Sequence, residues 1–349
     1  MSNIRPIKVA DQTAVTQGRA GRTIRVGLGV IVGVGFVYLA MRNVSFDEVV
    51  TLLAGATLAP LLLAVLAFVA DFFLRAVRFW MMLQSTSGRH LPLRLTIGPF
   101  IASFGMSDVL PLRVGDAFRI LWFSRQFSIP AGTVMGTMLV ERILDLVTIA
   151  FLGGVALAMV DLKSPPALVW NCQLLLVIAL AGGSALLFAP ALLCRLLERF
   201  FNRVKFAPVV VVIAALRAAS QAVTQISSWR SLVTLTVMSI ALWLLESVVF
   251  LGAWVSLGGA IDVLLKPFLA FAFSTLGTLV PSLPGHFGPF EFFGLQAFAL
   301  AGVETGIAAA VVLLAHLILW APTALFGVGW LMFAASRAPD ATRRAQNAE

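Results

Sequence analysis

The stretch that decides the fold is residues 281–294, PSLPGHFGPFEFFG, which has three prolines and three glycines within fourteen residues. Proline and glycine break helices. The flanking stretches 267–280 and 295–302 are almost wholly apolar, and a broken backbone in lipid leaves polar groups without partners. Such a break is tolerable only where it is buried in protein or lines a cavity.

The composition is that of a protein with several membrane spans. Of 349 residues, 60% are hydrophobic and 12% are charged, and the mean hydropathy is +0.98, whereas soluble domains have about 45–50% apolar residues. The formal charge of +9 comes from cations beside apolar segments. Cations in that position set the orientation of the chain in the membrane and bind anionic lipid headgroups. Nucleic acid is not an expected partner, and no metal or cofactor is expected because no motif for one is present.

About 20 apolar residues cross a bilayer, and six segments reach that length. Two further segments, 95–125 and 267–302, are apolar but interrupted by proline and glycine. The six candidate spans are 24–41, 57–83, 131–158, 167–190, 231–257 and 305–335.

Lysine and arginine orient the chain, because they favour the cytoplasmic side. They are concentrated in and beside an N-terminal arm (1–23), a connection (193–230) and a tail (338–349). Only three remain for the opposite side: Arg42, Lys163 and Lys266. We therefore expect a single transmembrane domain (24–337) in a bacterial cytoplasmic (inner) membrane, with both termini in the cytoplasm. The connection is expected either to hold helices at the membrane surface or to be an ordinary charged loop with a short helix.

The two interrupted segments resemble each other at their breaks. LPLRVG at 110–115 matches LPGHFG at 283–288, which places Arg113 opposite His286. By the charge distribution, the first segment enters and leaves on the inside and the second on the outside. Each is thus a candidate re-entrant hairpin, in which one helix enters, the chain breaks and a second helix leaves.

A second match at nearly the same offset extends the similarity to the following spans. GTVMGTMLVERIL (132–144) aligns with GIAAAVVLLAHLI (306–318), which places Arg142 opposite His316. We expect an all-α polytopic membrane protein with six transmembrane helices and two re-entrant helical hairpins. The hairpins belong to an inverted repeat with halves at about 24–163 and 164–337, an arrangement in which broken segments indicate the substrate site.

Ionisable residues inside spans are costly and usually face a cavity or a partner. Glu141, Arg142 and Asp145 lie near the middle of the third span. Glu141 and Asp145 share a helix face, and Arg142 and Asp145 can meet across one turn. The cluster is interpreted either as a site or gate, or as an ion-pair network that holds helices together.

The first break is surrounded by charge. Arg113 and Arg119 flank Asp116, and a helix beginning near Gly115 would point its N-terminal amides at a cavity. Such amides and the planar guanidinium both bind phosphate. These residues therefore favour an anionic headgroup, although anchoring at the cytoplasmic surface is the alternative.

Other charges have two interpretations. Asp71, Arg75 and Arg78 lie on one face of the second span. For Arg78 we expect a side chain that extends toward the cytoplasmic interface, with a role in a cavity as the alternative. Glu246, alone in the fifth span, is expected to partner an arginine of the first hairpin or to carry a proton. Glu291 either stabilises a helix N-terminus or faces the cavity, where His286 can donate a hydrogen bond or change protonation near neutral pH.

These segments resemble the transmembrane domain of the lysylphosphatidylglycerol synthase/flippase family. The similarity covers nearly the whole chain after residue 25. It rests on RAVRFWMML (75–83), DVLPLRVGDAFRILWFSRQFSIPAG (108–132), VERILDLV (140–147) and LPGHFGPFEFF (283–293). The family motifs are carried here by Pro111, Gly115, Asp116 and Arg119; by Glu141, Arg142 and Asp145; and by Pro284, Gly285, Gly288 and Glu291.

The resemblance implies a lipid translocase that moves a phospholipid, an aminoacylated lipid, a hopanoid or a lipid-linked sugar between leaflets. It implies a stand-alone member without the aminoacyl-transferase domain, and hence no enzymatic activity. Two positions depart from the family: His286 replaces the second glycine of a Pro-Gly-Gly run, and His316 stands where relatives often carry arginine. Both suggest a different or less acidic ligand.

The residues expected to bind lipid are Arg113, Asp116, Arg119, Arg142, His286 and Glu291. Those expected to couple an ion or to gate are Glu141, Asp145, Glu246 and His316. Expected partners are a membrane phospholipid or other amphiphilic lipid, with a second copy of the chain or a lipid-pathway enzyme as candidate protein partners. Two alternatives stay open, namely a non-transporting scaffold of an envelope pathway and a membrane-embedded lipid-phosphate enzyme.

Overall fold

The computed structural model describes residues 12–162, 166–189 and 229–346, with four isolated positions between residues 190 and 228. This part of the chain consists of helices and their connections and contains no strand, which confirms the predicted all-α class. In chain order the helices are α1 (Gln12–Met41), α2 (Phe46–Ala54), α3 (Leu58–Ser87), α4 (Leu93–Val109), α5 (Val114–Phe127), α6 (Ala131–Met159), α7 (Pro166–Phe188), α8 (Trp229–Ser256), α9 (Leu265–Gly277), α10 (Pro289–Leu300) and α11 (Thr305–Gln346).

Several helices have the length and composition of membrane spans. In the described residues these are α3, α6, most of α8 and the part Thr305–Phe333 of α11. A fifth candidate is the bent pair Gly27–Met41 and Phe46–Ala54, whose two helices meet at 78°. In α7 the apolar part is shorter, Val169–Ala185. A multi-pass protein is therefore confirmed, whereas the count of six crossings stays a prediction. The predicted connection 193–230 lies outside the described residues, apart from isolated positions.

The short helix α2 was not predicted, because a search for segments of about 20 residues passes over a nine-residue helix. Its N-terminus nevertheless has a local signal. The Ser45 hydroxyl accepts a hydrogen bond from the Glu48 backbone N–H at 3.4 Å, and Asp47 and Glu48 lie in the first turn. A serine cap and acidic residues both stabilise a helix N-terminus.

At each interrupted segment two helices fold back on each other. α5 begins beside the middle of α4, where a side chain at Gly115 would collide with the Ser103 carbonyl. α10 likewise begins beside the end of α9, where a side chain at Gly277 would collide with Pro289 and Phe293. Glycine at these two positions therefore permits the close antiparallel packing of each pair.

The two breaks share a short turn with left-handed residues at matching positions and differ after it, because α5 begins directly at Val114 whereas Phe287 is extended. Each forms a short 3₁₀ turn, Pro111–Arg113 in one and Pro284–His286 in the other. Two consecutive residues of each turn have positive φ: Leu112 (64°) and Arg113 (52°), and Gly285 (71°) and His286 (63°). These are the positions that the sequence alignment pairs. Left-handed backbone costs a residue other than glycine about 1–2 kcal/mol, so both breaks are held by their surroundings.

α4 is fixed against α11 at a crossing of two glycines. A side chain at Gly105 would collide with the backbone of Gly327 and Thr323. One turn further along, the Asp108 carboxylate accepts a hydrogen bond from the Thr323 hydroxyl at 2.7 Å, and its carbonyl accepts one from the Trp320 indole at 3.2 Å. This contact brings the first break next to the second.

Candidate functional site

The two breaks and α1 line a half-open cavity of about 780 Å³. Its lining comes from α1 near Gly29, from Ser107, from residues 110–113 and from residues 279–286. Most of these residues are apolar, and the described lining contains no aspartate or glutamate. The side chains that bring polar chemistry to it are Arg113, His286, Ser107 and Ser282.

Polar groups in the cavity have capacity for a ligand. Arg113 donates one hydrogen bond, to the Thr278 carbonyl at 3.3 Å, and its side chain is otherwise exposed. The hydroxyl oxygens of Ser107 and Ser282 are buried and have no hydrogen-bond partner among the described residues. Buried hydroxyls are normally satisfied by protein, water or ligand. The cavity thus offers a guanidinium, an imidazole and two hydroxyls in an apolar surrounding.

Beside the first break, α5 and α6 are joined by an ion pair between Asp116 and Arg142 at 3.4 Å. Asp116 lies in the first turn of α5, where a carboxylate stabilises the helix dipole. The Arg142 side chain is 42% exposed and lies over the Phe104 ring. Arg142 therefore points away from Asp145, its expected neighbour one turn along α6.

Arg119 is buried one turn further along α5. Its Nε donates to the Ser103 hydroxyl at 2.9 Å, and its Nη1 donates to Glu141 at 3.1 Å. The guanidinium also lies 4.5 Å from the centroid of Phe100 and 4.6 Å from that of Phe104. A buried cation paired and stacked in this way is satisfied by the protein itself.

The pair Arg119–Glu141 belongs to a larger group, which we call the buried charge cluster. Its members are Asp71, Arg75, Arg78, Arg119, Glu141, Asp145 and Glu246. Arg78 contacts Asp145 at 2.8 Å and donates to the Ser239 hydroxyl at 2.7 Å. Its side chain is 0% exposed, so the prediction that Arg78 extends toward the interface is wrong: α6 and α8 supply its partners.

Arg75 is the other hub of the cluster. Its Nε donates to Asp71 at 2.7 Å, its Nη2 forms an ion pair with Glu246, and its guanidinium lies 4.4 Å from the centroid of Trp243. Glu246 was expected to partner an arginine of the first hairpin, but its partner is in α3. The correction follows from packing, since α8 lies against α3.

The second break is fixed by a glutamate–histidine pair. Glu291 accepts a hydrogen bond from the Gly288 backbone N–H at 2.7 Å and also contacts His316 Nδ1. His316 Nε2 donates to the Gly285 carbonyl at 2.8 Å. The imidazole ring lies between Phe287 and Phe290.

This pair faces a second, smaller pocket of about 260 Å³ whose lining is otherwise almost wholly apolar. Glu291 therefore stabilises the start of α10 and lines this second pocket, whereas it does not line the large cavity that holds His286.

The structure thus divides the residues singled out by sequence among four places. Arg113 and His286 share the large cavity, and Asp116 and Arg142 form the half-exposed pair beside it. The second pocket contains Glu291 and His316. Arg119, Glu141, Asp145 and Glu246 belong to the buried charge cluster.

Sequence reasoning missed how the cluster is connected. It recognised Asp71, Arg75 and Arg78 as one helix face but did not join them to Asp145 and Glu246. The available signal was that charged residues inside membrane spans usually form ion pairs, so a span with acidic residues is expected to pack against a span with basic residues. That signal does not say which spans are neighbours.

Two comparisons with known proteins identify relatives of the chain. The family described as Lysylphosphatidylglycerol synthase TM region matches residues 26–327. The chain is also 25% identical over 346 residues to glycosyltransferase AglD of Haloferax volcanii, an alignment that covers 90% of this chain and 55% of that protein. The chain therefore spans about half the length of this curated relative.

The second comparison corrects one expectation. The sequence predicted a protein without enzymatic activity, and that prediction is contradicted because the curated relative is a glycosyltransferase.

Proposed function

The chain belongs to the family of lysylphosphatidylglycerol synthase transmembrane regions, and we propose that it is a lipid translocase of a bacterial cytoplasmic membrane. The observation that carries this proposal is the meeting of two broken segments at one cavity of about 780 Å³. A polar headgroup would enter this cavity while its acyl chains stay in the bilayer. Irregular backbone at membrane depth, in matching positions of two repeats, is how transporters build substrate sites.

The lengths of the paired helices support re-entrant hairpins. α4 and α5 have 17 and 14 residues, and α9 and α10 have 13 and 12. At about 1.5 Å per residue none of them is longer than about 26 Å, whereas the hydrocarbon core is about 30 Å thick. Each pair of helices would therefore return to the side of the membrane from which it entered. The rest of the chain would cross the membrane six times and leave both termini in the cytoplasm.

Two structural likenesses support the inverted repeat. The breaks have left-handed residues at aligned positions, Arg113 and His286 among them. In both halves, an acid in the first turn after the break pairs with a cation or an imidazole of the next long helix. These pairs are Asp116 with Arg142 and Glu291 with His316.

The cavity favours a headgroup with a phosphate. Arg113 offers a planar guanidinium, which binds phosphate through two parallel hydrogen bonds, and the serine hydroxyls can donate to further oxygens. An ammonium group, as on an aminoacylated lipid, would find no carboxylate on the described lining and would be repelled by Arg113. Among the lipids considered, a phosphate-linked lipid, including a lipid-linked sugar, fits the site best.

Proteoliposomes test this proposal directly. The purified chain should expose fluorescent phosphatidylglycerol or a labelled polyprenyl phosphate sugar to a reductant outside the vesicle faster than it exposes lysyl-phosphatidylglycerol. We expect Arg113→Gln to slow the reaction about tenfold or more, because a hydrogen bond to a charged group contributes about 1.5–3 kcal/mol. Arg94→Gln, which changes an exposed arginine at the start of α4, is the matched control.

If no tested lipid moves, with or without a pH gradient, the translocase proposal fails. Equal translocation rates for Arg113→Gln and Arg94→Gln would instead contradict the proposal that Arg113 binds the phosphate of the headgroup.

The name of the curated relative favours a second candidate function. In that case the same cavity would hold a lipid-linked sugar during glycosyl transfer, with Arg113 binding the phosphate of the lipid. Vesicles supplied with a labelled lipid-linked sugar and an acceptor separate the candidates, since a glycosyltransferase forms a new glycosidic product and a translocase only moves the donor. Product formation that requires Arg113 would favour this second candidate.

A further inference from the structure

The buried charge cluster contains more acids than cations. Four carboxyl groups, those of Asp71, Glu141, Asp145 and Glu246, face three guanidinium groups, those of Arg75, Arg78 and Arg119. The side chains of these seven residues are at most 13% exposed. The described residues add the Ser239 hydroxyl and no further cation. With every group ionised, the cluster would have one uncompensated negative charge.

The contacts show where the extra acid lies. Arg119 pairs with Glu141 at 3.1 Å, and Arg78 pairs with Asp145 at 2.8 Å and lies 3.8 Å from Glu141. The remaining guanidinium, that of Arg75, contacts both Asp71 and Glu246 directly and is 4.0 Å from Asp145. A buried and uncompensated carboxylate is costly enough that the group becomes neutral instead, and two carboxylates that share one site do not both ionise easily.

We propose that Asp71 and Glu246 form a proton-binding site, in which the two carboxyl groups share one exchangeable proton above the guanidinium of Arg75. Three buried carboxylate oxygens of the cluster have no hydrogen-bond partner among the described residues: Asp71 Oδ1, Glu141 Oε1 and Asp145 Oδ1. The latter two form ion pairs with Arg78 Nη2 at 3.8 and 2.8 Å, whereas Asp71 pairs with Arg75 through its other oxygen, Oδ2, which receives the Arg75 Nε–H. Asp71 Oδ1 can therefore carry the proton without breaking an ion pair. Since the two acids are coupled, the proton belongs to the pair and not to either residue alone.

Exchange would occur through Glu246. Its side chain is 13% exposed, whereas that of Asp71 is 0% exposed. The charges that face the site are Arg75 and Arg78 from α3, Glu141 and Asp145 from α6, and Arg119 from α5. The half-exposed pair Asp116–Arg142 lies next to this cluster on α5 and α6.

The site would let a pH gradient act on the molecule, because loss of the proton places a second negative charge beside Arg75 at the contact between α3 and α8. Its use in driving lipid movement rests on the proposed function. The site itself does not, and it is tested without any transport measurement.

Infrared spectroscopy of the purified chain in lipid nanodiscs detects the proton as the C=O band of a neutral carboxylic acid. We expect Asp71→Asn and Glu246→Gln each to remove the band intensity of one acid at neutral pH, because the remaining carboxylate then pairs with Arg75 alone. The double variant should remove no more than either single variant, which is the mark of one shared proton. Asp262→Asn, at an exposed position, should leave the band unchanged.

The unfolding temperatures of the two single variants provide a second measurement, which does not require the double variant to fold. Each single variant should unfold within a few degrees of the natural chain, since Arg75 keeps one carboxylate partner. An intensity that survives in both single variants would overturn the proposal. Intensity lost in only one of them would also overturn it, since the proton would then reside on one residue. If the band of the natural chain is lost in both single variants as expected and no lipid moves, the proton site stands and only the translocase proposal fails.

Discussion

Arg119 illustrates how burial changes the meaning of a charged residue. By sequence it was an expected lipid-binding cation, yet its guanidinium is enclosed by Phe100, Phe104, Ser103 and Glu141. A residue with all its partners in the protein has little capacity left for a headgroup. Its contribution is to hold the first hairpin against α6.

Replacement of Arg119 should therefore destabilise the protein. We expect Arg119→Met to lower the free energy of unfolding by about 3–5 kcal/mol, the typical cost of leaving a buried charge without its partner. The double variant Arg119→Met with Glu141→Leu should recover much of this loss, because the pair is then replaced by apolar side chains. Unfolding in mixed micelles measures both. A single variant as stable as Arg94→Gln would show that Glu141 does not depend on Arg119.

His286 is held in a backbone conformation that suits glycine. Its φ is 63°, so a side chain without a stabilising role is expected to cost about 1–2 kcal/mol there. We expect His286→Gly to be more stable than His286→Ala by about 1 kcal/mol, as measured by thermal unfolding. Equal stability of the two variants would contradict the left-handed conformation of this break.

The same pair of variants bears on the ligand. Both remove the imidazole from the cavity, so a translocation rate that falls equally in both would separate its role in binding from its effect on the backbone.

At the scale of elements, the crossing of α4 and α11 determines how close the two breaks lie. The crossing depends on Gly105 and Gly327, whose backbones are in contact. We expect Gly105→Ala to destabilise the protein or to displace the first hairpin, since the added methyl group meets backbone and not a flexible side chain. Its matched control is Gly154→Ala, which lies within α6 with nothing near the added atom.

The control should be neutral or slightly stabilising, by up to about 1 kcal/mol, because alanine is the better helix former. Unfolding temperatures and the translocation rate of both variants check this comparison. A Gly105→Ala variant that matches Gly154→Ala in both would mean that the crossing is looser than the structure indicates.

The elements were predictable to different degrees. The long spans α3, α6, α8 and α11 follow from apolar length alone, and the breaks follow from proline and glycine. The bend of 78° between α1 and α2 did not follow, because the turn after Met41 contains no proline. The start of α2 instead contacts the start of α11, where the Glu48 carboxylate lies against Gly306. That contact depends on a partner more than two hundred residues away.

For the whole molecule, the orientation is the prediction that most needs a measurement. In a variant without its native cysteines, single cysteines at His90 and Asp262 would mark the two sides of the membrane. Both positions are exposed. We expect a membrane-impermeant maleimide added to intact cells to label Asp262→Cys, whereas His90→Cys should react only after permeabilisation. Labelling of both from one side would exclude the proposed topology.

Local chemistry was enough for the sequence by itself to determine the membrane class, the all-helical fold, the position of the two breaks and the family. Apolar length, helix-breaking residues and short motifs act through neighbours along the chain, so they can be interpreted without the fold. The tertiary structure decided the partners. It turned Arg142 toward Asp116, placed Arg113 and His286 in one cavity, and joined Asp71 and Glu246 through Arg75. Those contacts depend on which helices are neighbours, and charge pairing across a membrane bundle is specified by packing and not by spacing along one helix.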